Sequence, residues 1–461
     1  MILYQQSCLR PRRAFGLLSE GLIRAMRILI DPSSIHCLNL GDVAMLQVTV
    51  RRFREFWPEA EICVFNEAPE LLELYCPTAK PVCPQARQAY YTTAAILTRL
   101  GRRFSMPSLS ECDVTWRQRW PGTVGKLLAS LRGDAFAIEA RNFLNLVRSC
   151  DLVVASGAGQ ITTSFGPHST LILNTMEMAM RHGIPTAIFG QGLGPIEDAC
   201  LRTRAAKVLP RVNQICIRET ITSLPLLDEL HVAREHVLVT GDDSIDTVYS
   251  HRSPQLGNAI GVNLRMSWYS HISHELLGTV RKPLQETARA VGAPLVEVPI
   301  SRHPDEDDSG VCRYLFEGYE SVAEPAHDLM LVEGMIEEIG RCRVMITTSY
   351  HGAVFALAQG IPVVAWLRSK YFAAKLYGLA NQFGVGCEVV TLDQGDVQER
   401  LRSAIFFAWN SAEQIRPRLL DAASSQLAAS KAAYEKLRSD LAGGRYPAGA
   451  ARKSRTEVLA S

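Results

Sequence analysis

The sequence predicts an α/β protein of two Rossmann-like domains facing each other across a cleft, with a helical segment at the C-terminus. Three observations predict it. Short β-branched and aliphatic runs alternate with longer helical patterns, the βαβ order of a parallel sheet covered by helices. One strand–loop–helix–turn–strand unit occurs twice, once from Asp151 and once from Cys342. Each copy turns on the same tripeptide, Gly183-Ile184-Pro185 and Gly360-Ile361-Pro362. Glycine there closes a helix in a left-handed cap and proline bars its continuation.

In chain order, Arg27–Ile30 is the first strand. "GDVAMLQVTVRRFREFWP" follows as an amphipathic helix ending at Pro58, and "EICVF" is the next strand. Residues 80–140 lack a clean period and read as an insertion or loop region with one helix, placed as a lid. Its Arg102, Arg103, Arg117 and Arg119 read as a solvated face, with contact to an anionic substrate as the sharper reading. "AIGVNLR" (Ala259–Arg265) opens a second domain as "RILIDP" opens the first. The first domain then covers residues 26–250 and the second 259–405, joined near Ser250–Asn258. Residues 406–440 read as helices broken near Pro417 and are expected to cross back to the first domain. Residues 1–25, Arg-rich and mildly amphipathic, and the tail 441–461 are expected to be disordered.

Composition excludes several classes. With 461 residues there is chain enough for two cores. Hydrophobic content of 47% and charged content of 21% are those of a soluble globular protein. A formal net charge of +2 argues against a nucleic-acid binder. The 12 cysteines include no C-x-x-C pair and read as reduced thiols in a cytoplasmic protein, with no metal site. No apolar run approaches the roughly 18 residues of a membrane helix.

Residues that follow strands carry the chemistry, because ligands of open α/β sheets bind beyond the carboxyl ends of strands. Asn39, Gly41 and Asp42 in "LNLGDVAML" lie between the first strand and its helix, where Asp42 reads either as an N-cap or as a cleft residue. In "ASGAGQITTSFG", Gly157 and Gly159 allow close backbone approach, but Thr162 spoils a dinucleotide fingerprint. Gln191 in "GQGLGPI" is placed to bond a sugar hydroxyl or to sit in a packing turn. Arg218 and Asp242 each follow an apolar run, Arg218 either pairing with a carboxylate or holding an anion. Arg265 ends a strand of the second domain and is aimed at the cleft, where its planar fork suits carboxylate or phosphate. In "TTSYHGAVFALAQGIPVVAW", Ser349 and His351 precede a helix expected to start at about Gly352. A helix N-terminus attracts anions and lowers a histidine's pKa, which poises His351 for proton transfer.

At "LNLGDVAML", "GQGLGP", "CIRETITSLPLL", "TGDDSID" and "TTSYHGAVFALAQGIPVVAW" the chain resembles the polysaccharide pyruvyl transferase family, roughly from Arg27 to Ile405. The resemblance implies a GT-B-like fold and transfer of pyruvate from phosphoenolpyruvate to two hydroxyls of one sugar, as a cyclic ketal. The acceptor would be an exopolysaccharide or cell-surface glycan, or its lipid-linked precursor, with peripheral membrane association through that acceptor. His351 matches the family histidine as general acid, and Asp42 or Asp242 would take the hydroxyl proton. Arg218 and Arg265 would hold the donor, with no cofactor or metal. Many members carry Arg-Leu where this chain has Ser349-Tyr350, which leaves one donor-binding cation to come from elsewhere, with Arg343 and Arg368 as candidates. Two alternatives stand beside this reading. One is a nucleotide-sugar glycosyltransferase of the same architecture, needing an acid late in the second domain. Ser301–Gly310 has acids but reads as a solvated loop. The other is a non-catalytic partner in polysaccharide assembly.

Overall fold

A computed structural model describes residues 25–444 except 93–94, 267–271, 305, 307, 369 and 393–395. The expectations for residues 1–24 and 445–461 lie outside the described residues. The apolar runs form two sheets. The first contains β1 (Arg27–Pro32), β2 (Glu61–Phe65), β3 (Lys80–Val82), β4 (Leu152–Ile161), β5 (Thr186–Leu193), β6 (Gln214–Ile217) and β7 (Val237–Val239), in the order β3-β2-β1-β4-β5-β6-β7. The second contains β8 (Ala259–Asn263), β9 (Leu295–Glu297), β10 (Cys342–Thr347), β11 (Val363–Leu367) and β12 (Cys387–Thr391), in the order β12-β11-β10-β8-β9. Every strand pairing within the two sheets is parallel. Parallel strands are covered on both faces, and β4, β5, β8 and β11 are accordingly buried along their whole length. Gly183 and Gly360 close their helices at φ +66° and +77°, the left-handed values a β-carbon disfavours.

In each sheet the chain winds outward, then returns to the other side of its first strand. The reversals fall between β1 and β4 and between β8 and β10, where loops diverge and leave a crevice. The lobes meet there directly. Leu40 N–H donates to the Ile300 carbonyl at 3.0 Å and Arg302 N–H to that of Leu38 at 2.8 Å. One hydrophobic cluster unites Ile30, Phe53 and Phe189 of the first lobe with Val298, Met335 and Phe355 of the second.

Residues 80–140 differ from the loop region with one helix that the sequence suggests. Helices span Gln85–Thr92, Ile96–Arg103, Pro107–Arg119, Pro121–Arg132 and Asp134–Ser149. They are short and two open on proline, so no long period emerges. Arg117 is not on a solvated face: it is buried, pairing with Asp113 at 3.0 Å and donating to the Tyr90 carbonyl at 2.6 Å. Arg102, Arg103 and Arg119 are exposed.

A break near Pro417 does not occur. A single helix of 46 residues runs from Val397 to Ala442. Proline removes a helical hydrogen bond, but packing holds this turn. Arg416 donates to the carbonyls of Gln359 at 2.9 Å and Ser253 at 2.6 Å, and Leu419 is buried. The helix starts in the core of the second lobe through Leu401 and Ile405 and ends on the first. There the Tyr434 ring stacks on Phe189 at 3.9 Å, and Gln214 Nε2 donates to the Ala433 carbonyl at 2.9 Å. Asp243, buried under this helix, accepts from Ser430 Oγ at 2.8 Å and from the Tyr434 hydroxyl at 2.9 Å. Burial pushes its carboxyl up to about 6 against the pull of those two bonds. Tyr434→Phe removes a donor from a buried carboxylate and should cost about 1–3 kcal/mol. Urea unfolding should show the larger loss at pH 8, where Asp243 is ionised, than at pH 5. An equal loss at both pH values would contradict this account of the helix anchor.

Candidate active site

The site forms where two helix N-termini meet. In the first lobe Asn39, not Asp42, caps the helix Leu40–Phe56: its Oδ1 accepts from the N–H groups of Gly41 at 3.0 Å and Asp42 at 3.3 Å. Asp42 therefore sits in the first turn with its carboxylate facing the cavity. In the second lobe Ser349 caps the helix Tyr350–Leu357, its Oγ accepting from Gly352 N–H at 3.4 Å. That helix starts two residues before the expected Gly352, so His351 lies inside its first turn. The imidazole rests directly on Gly41, where a β-carbon would overlap the ring. Glycine at 41 is required for this close approach.

His351 Nδ1 lies 3.9 Å from Asp42 Oδ1, and Nε2 lies 3.7 Å from Asp242 Oδ2. Both separations exceed a hydrogen bond, and Nε2 is buried with no hydrogen-bond partner among the described residues. A cavity of about 340 Å³ opens over this ring, with Asp42, Arg218, Arg265, Glu306, His351 and Lys375 in its lining. Burial holds the imidazole well below its usual range, and Arg218, Lys375 and Arg265 depress it further. Burial likewise holds Lys375 well below the usual lysine range, helped by Arg218. Burial pushes the Asp42 carboxyl up to about 6, against the opposing pull of Lys375, Arg218 and Arg265. A neutral imidazole and a carboxylate that titrates near neutrality thus face a cavity crowded with positive charge.

The other sequence-selected residues divide into lining and support. Arg218, Arg265, Asn39, Gly159 and Ser349 line the cavity with Asp42 and His351. Asp242 does not. Its side chain is fully buried behind Arg218, whose Nη1 donates to it at 3.2 Å, and Ser244 donates to its other oxygen. Asp242 thus braces Arg218 from outside the cavity lining, not from within it as a substrate-touching base would. Gln191 is also buried, its amide donating to the Gly157 carbonyl. Gly157 backs onto Met45, so these two shape the wall and neither lines the cavity. Within Ser301–Gly310, Asp308 is not solvated: it is buried and accepts from Asn263, from the backbone N–H groups of Ile300 and Ser301, and from Arg265 at 3.1 and 3.2 Å.

A further basic side chain lines the cavity, Lys375, which the sequence reading missed. Arg343 instead donates to the Trp409 carbonyl at 3.1 Å and pairs with Glu413, and Arg368 is exposed outside the cavity lining. Lys375 lies in the middle of the helix Lys370–Phe383, not beyond the end of a strand. Tyr350 stacks its ring under the Arg218 guanidinium at 3.7 Å, a cation–π contact that fixes the arginine.

A family model described as polysaccharide pyruvyl transferase matches residues 39–370, from the cap residue Asn39 through the His351 helix. The chain belongs to the polysaccharide pyruvyl transferase family. No curated protein matches it by sequence. Among solved structures it is similar to the UDP-GlcNAc 2-epimerase from Neisseria meningitidis bound to UDP-GlcNAc, at TM-score 0.53 and 13% identity over 89% of this chain and 99% of that one. It is also similar to the S. aureus protein MnaA with UDP, at TM-score 0.52 and 12% identity over 90% and 96%. The likeness concerns the fold, the GT-B arrangement of two Rossmann-like lobes and a C-terminal helix.

A carboxyl with a folded pKa above its unfolded value costs stability wherever it must ionise, so the cost of Asp42 grows from about pH 4 to about pH 6 and persists above. Asp42→Asn should therefore stabilise the fold by roughly 2 kcal/mol at pH 8 and change little at pH 4. Thermal melts at the two pH values measure this, and a variant less stable at pH 8 would contradict the electrostatic description.

Proposed function

We propose that the protein transfers pyruvate from phosphoenolpyruvate to two hydroxyls of one sugar in an exopolysaccharide or cell-surface glycan, or in its lipid-linked precursor, forming a cyclic ketal. The observation that carries this reading is the convergence of three cations from two lobes on one histidine. Arg218, Arg265 and Lys375 line the same small cavity as His351. Phosphoenolpyruvate is a compact trianion whose C2 becomes electrophilic when its methylene carbon is protonated. Three cations preorganised around it would balance its carboxylate and phosphate.

Donor binding would also arm the acid. Free His351 is neutral because burial and the three cations oppose its charge. A bound trianion offsets those cations and favours the imidazolium, so the proton arrives with the donor. His351 then protonates C3 while a sugar hydroxyl adds to C2 and yields its proton to Asp42. The C2–O bond to phosphate breaks, the second hydroxyl closes the ketal, and its proton restores His351. The proton held by Asp42 leaves with the phosphate. One hydroxyl proton is thus replaced on C3 and the other departs on inorganic phosphate. Asp242 would hold Arg218 and the imidazole in register. The donor carries both the activated carbon and the leaving group, so this reaction needs no cofactor. The cytoplasm, where the donor is made, is the setting that fits it.

The nucleotide-sugar alternative has less support. The acids it needed late in the second domain, Glu306 and Asp308, are both engaged with Arg265. Purified protein given phosphoenolpyruvate and a panel of soluble and lipid-linked sugars should release inorganic phosphate only when both substrates are present. His351→Gln should lower that rate at least about 10²-fold with folding intact. Nucleotide release from UDP-sugars without phosphate release would overturn the proposal, as would near-normal turnover of His351→Gln.

A further inference from the structure

We propose that the helical insertion between β3 and β4 seats the protein on a membrane surface rich in anionic lipid. The described chain has 17 exposed large hydrophobic side chains, and nine of them fall within residues 96–138. They include Ile96, Leu97, Leu100, Phe104, Trp116 and Trp120, exposed by between 36% and 62%. Such a concentration of exposed apolar groups marks an interaction surface. The short helix Ile96–Arg103 sorts its residues by face. Ile96, Leu97 and Leu100 recur at helical spacing with Phe104 just beyond, and Arg99, Arg102 and Arg103 occupy the other side.

Charge selects the occupant. Residues 95–133 hold seven Lys or Arg and two Asp or Glu in a chain of net charge +2. Both acids are engaged internally, Glu111 with Arg204 and Lys207, and Asp113 with Arg117 and Thr98. The outward-facing charges of these residues are therefore basic, with Arg99, Arg102, Arg103, Arg119, Lys126 and Arg132 all exposed, and one exposed acid, Asp134, follows them within the span of the apolar groups. Basic residues interleaved with tryptophan and aliphatic side chains suit the headgroup region of an anionic bilayer, where arginine meets phosphate and indole lies at the boundary. No described helix is long and apolar enough to cross a membrane, so the contact is one of surface seating. The insertion also reaches the helix that borders the cavity: Arg102 donates to Thr170 Oγ1 at 3.1 Å, two residues after the cavity-lining His168. An acceptor carried on lipid would be met beside the site, and in that purpose the proposal rests on the transfer reading above.

The test is co-sedimentation of the full chain with vesicles of equal parts phosphatidylglycerol and phosphatidylcholine, and with pure phosphatidylcholine. Binding should occur with the anionic vesicles, weaken with added salt, and be weaker by at least about tenfold with pure phosphatidylcholine. Leu97→Ser/Phe104→Ser/Trp120→Ser and Arg99→Gln/Arg103→Gln should each raise the lipid needed for half-binding by about tenfold or more. Failure of the wild-type protein to bind, or unchanged binding by both variants, would overturn the proposal. So would a wild-type dimer that the first variant dissociates, since the patch would then bind a second copy of the chain. Vesicle binding is read without turnover, so failed pyruvyl transfer leaves it intact. Lost vesicle binding leaves phosphate release with a water-soluble sugar intact.

Discussion

The imidazole of His351 rests on the backbone of Gly41, and the geometry of the cavity follows from that contact. Each residue opens a helix in a different lobe, and each helix follows a strand at the reversal of its sheet. Two partial positive charges therefore point at one small volume. The backbone bonds between Leu38–Leu40 and Ile300–Arg302 hold the lobes at this separation. The long C-terminal helix ties them from behind through Tyr434 and Asp243. A side chain at position 41 would force the imidazole away, and Asp42 and Asp242 would no longer flank it.

Around that contact the protein holds groups away from their usual titration ranges. A lysine and a histidine are held below their usual ranges and a carboxyl is held above its own. Such frustration is what a site preorganised for the proposed anionic donor would cost. Arg218 and Arg265 are steadied by Asp242, Asp308 and the Tyr350 ring. Arginine forks held this way present fixed donors to a ligand without first losing side-chain freedom.

Features legible in the sequence were those that backbone chemistry writes locally. The paired Gly-Ile-Pro turns disclosed two similar units, and polar residues after apolar strands located Asp42, Arg218, Arg265 and His351. Caps were less legible, because Asn39 and Asp42 both suit an N-terminus and only the entering backbone decides between them. Roles set by long-range packing were not legible. Nothing near Lys375 distinguishes it from a surface lysine, and Asp308 looked solvated until Asn263 and Arg265 closed over it. The insertion misled because its helices are short and its Arg117 is buried against Asp113. Pro417 misled because tertiary contacts outweigh a local preference.

The site and the insertion suit a common task under the proposed reaction, since a charged donor would reach the cleft from solution while a sugar on a lipid carrier would arrive along a surface. The central claim, that a trivalent donor charges the buried histidine as it binds, is tested most directly by calorimetric titration with phosphoenolpyruvate at pH 8. The donor phosphate is fully ionised there, and buffers of differing ionisation enthalpy report protons taken up by the protein. The account predicts binding with net proton uptake, reduced in His351→Gln. Binding without proton uptake, or no binding at all, would contradict it.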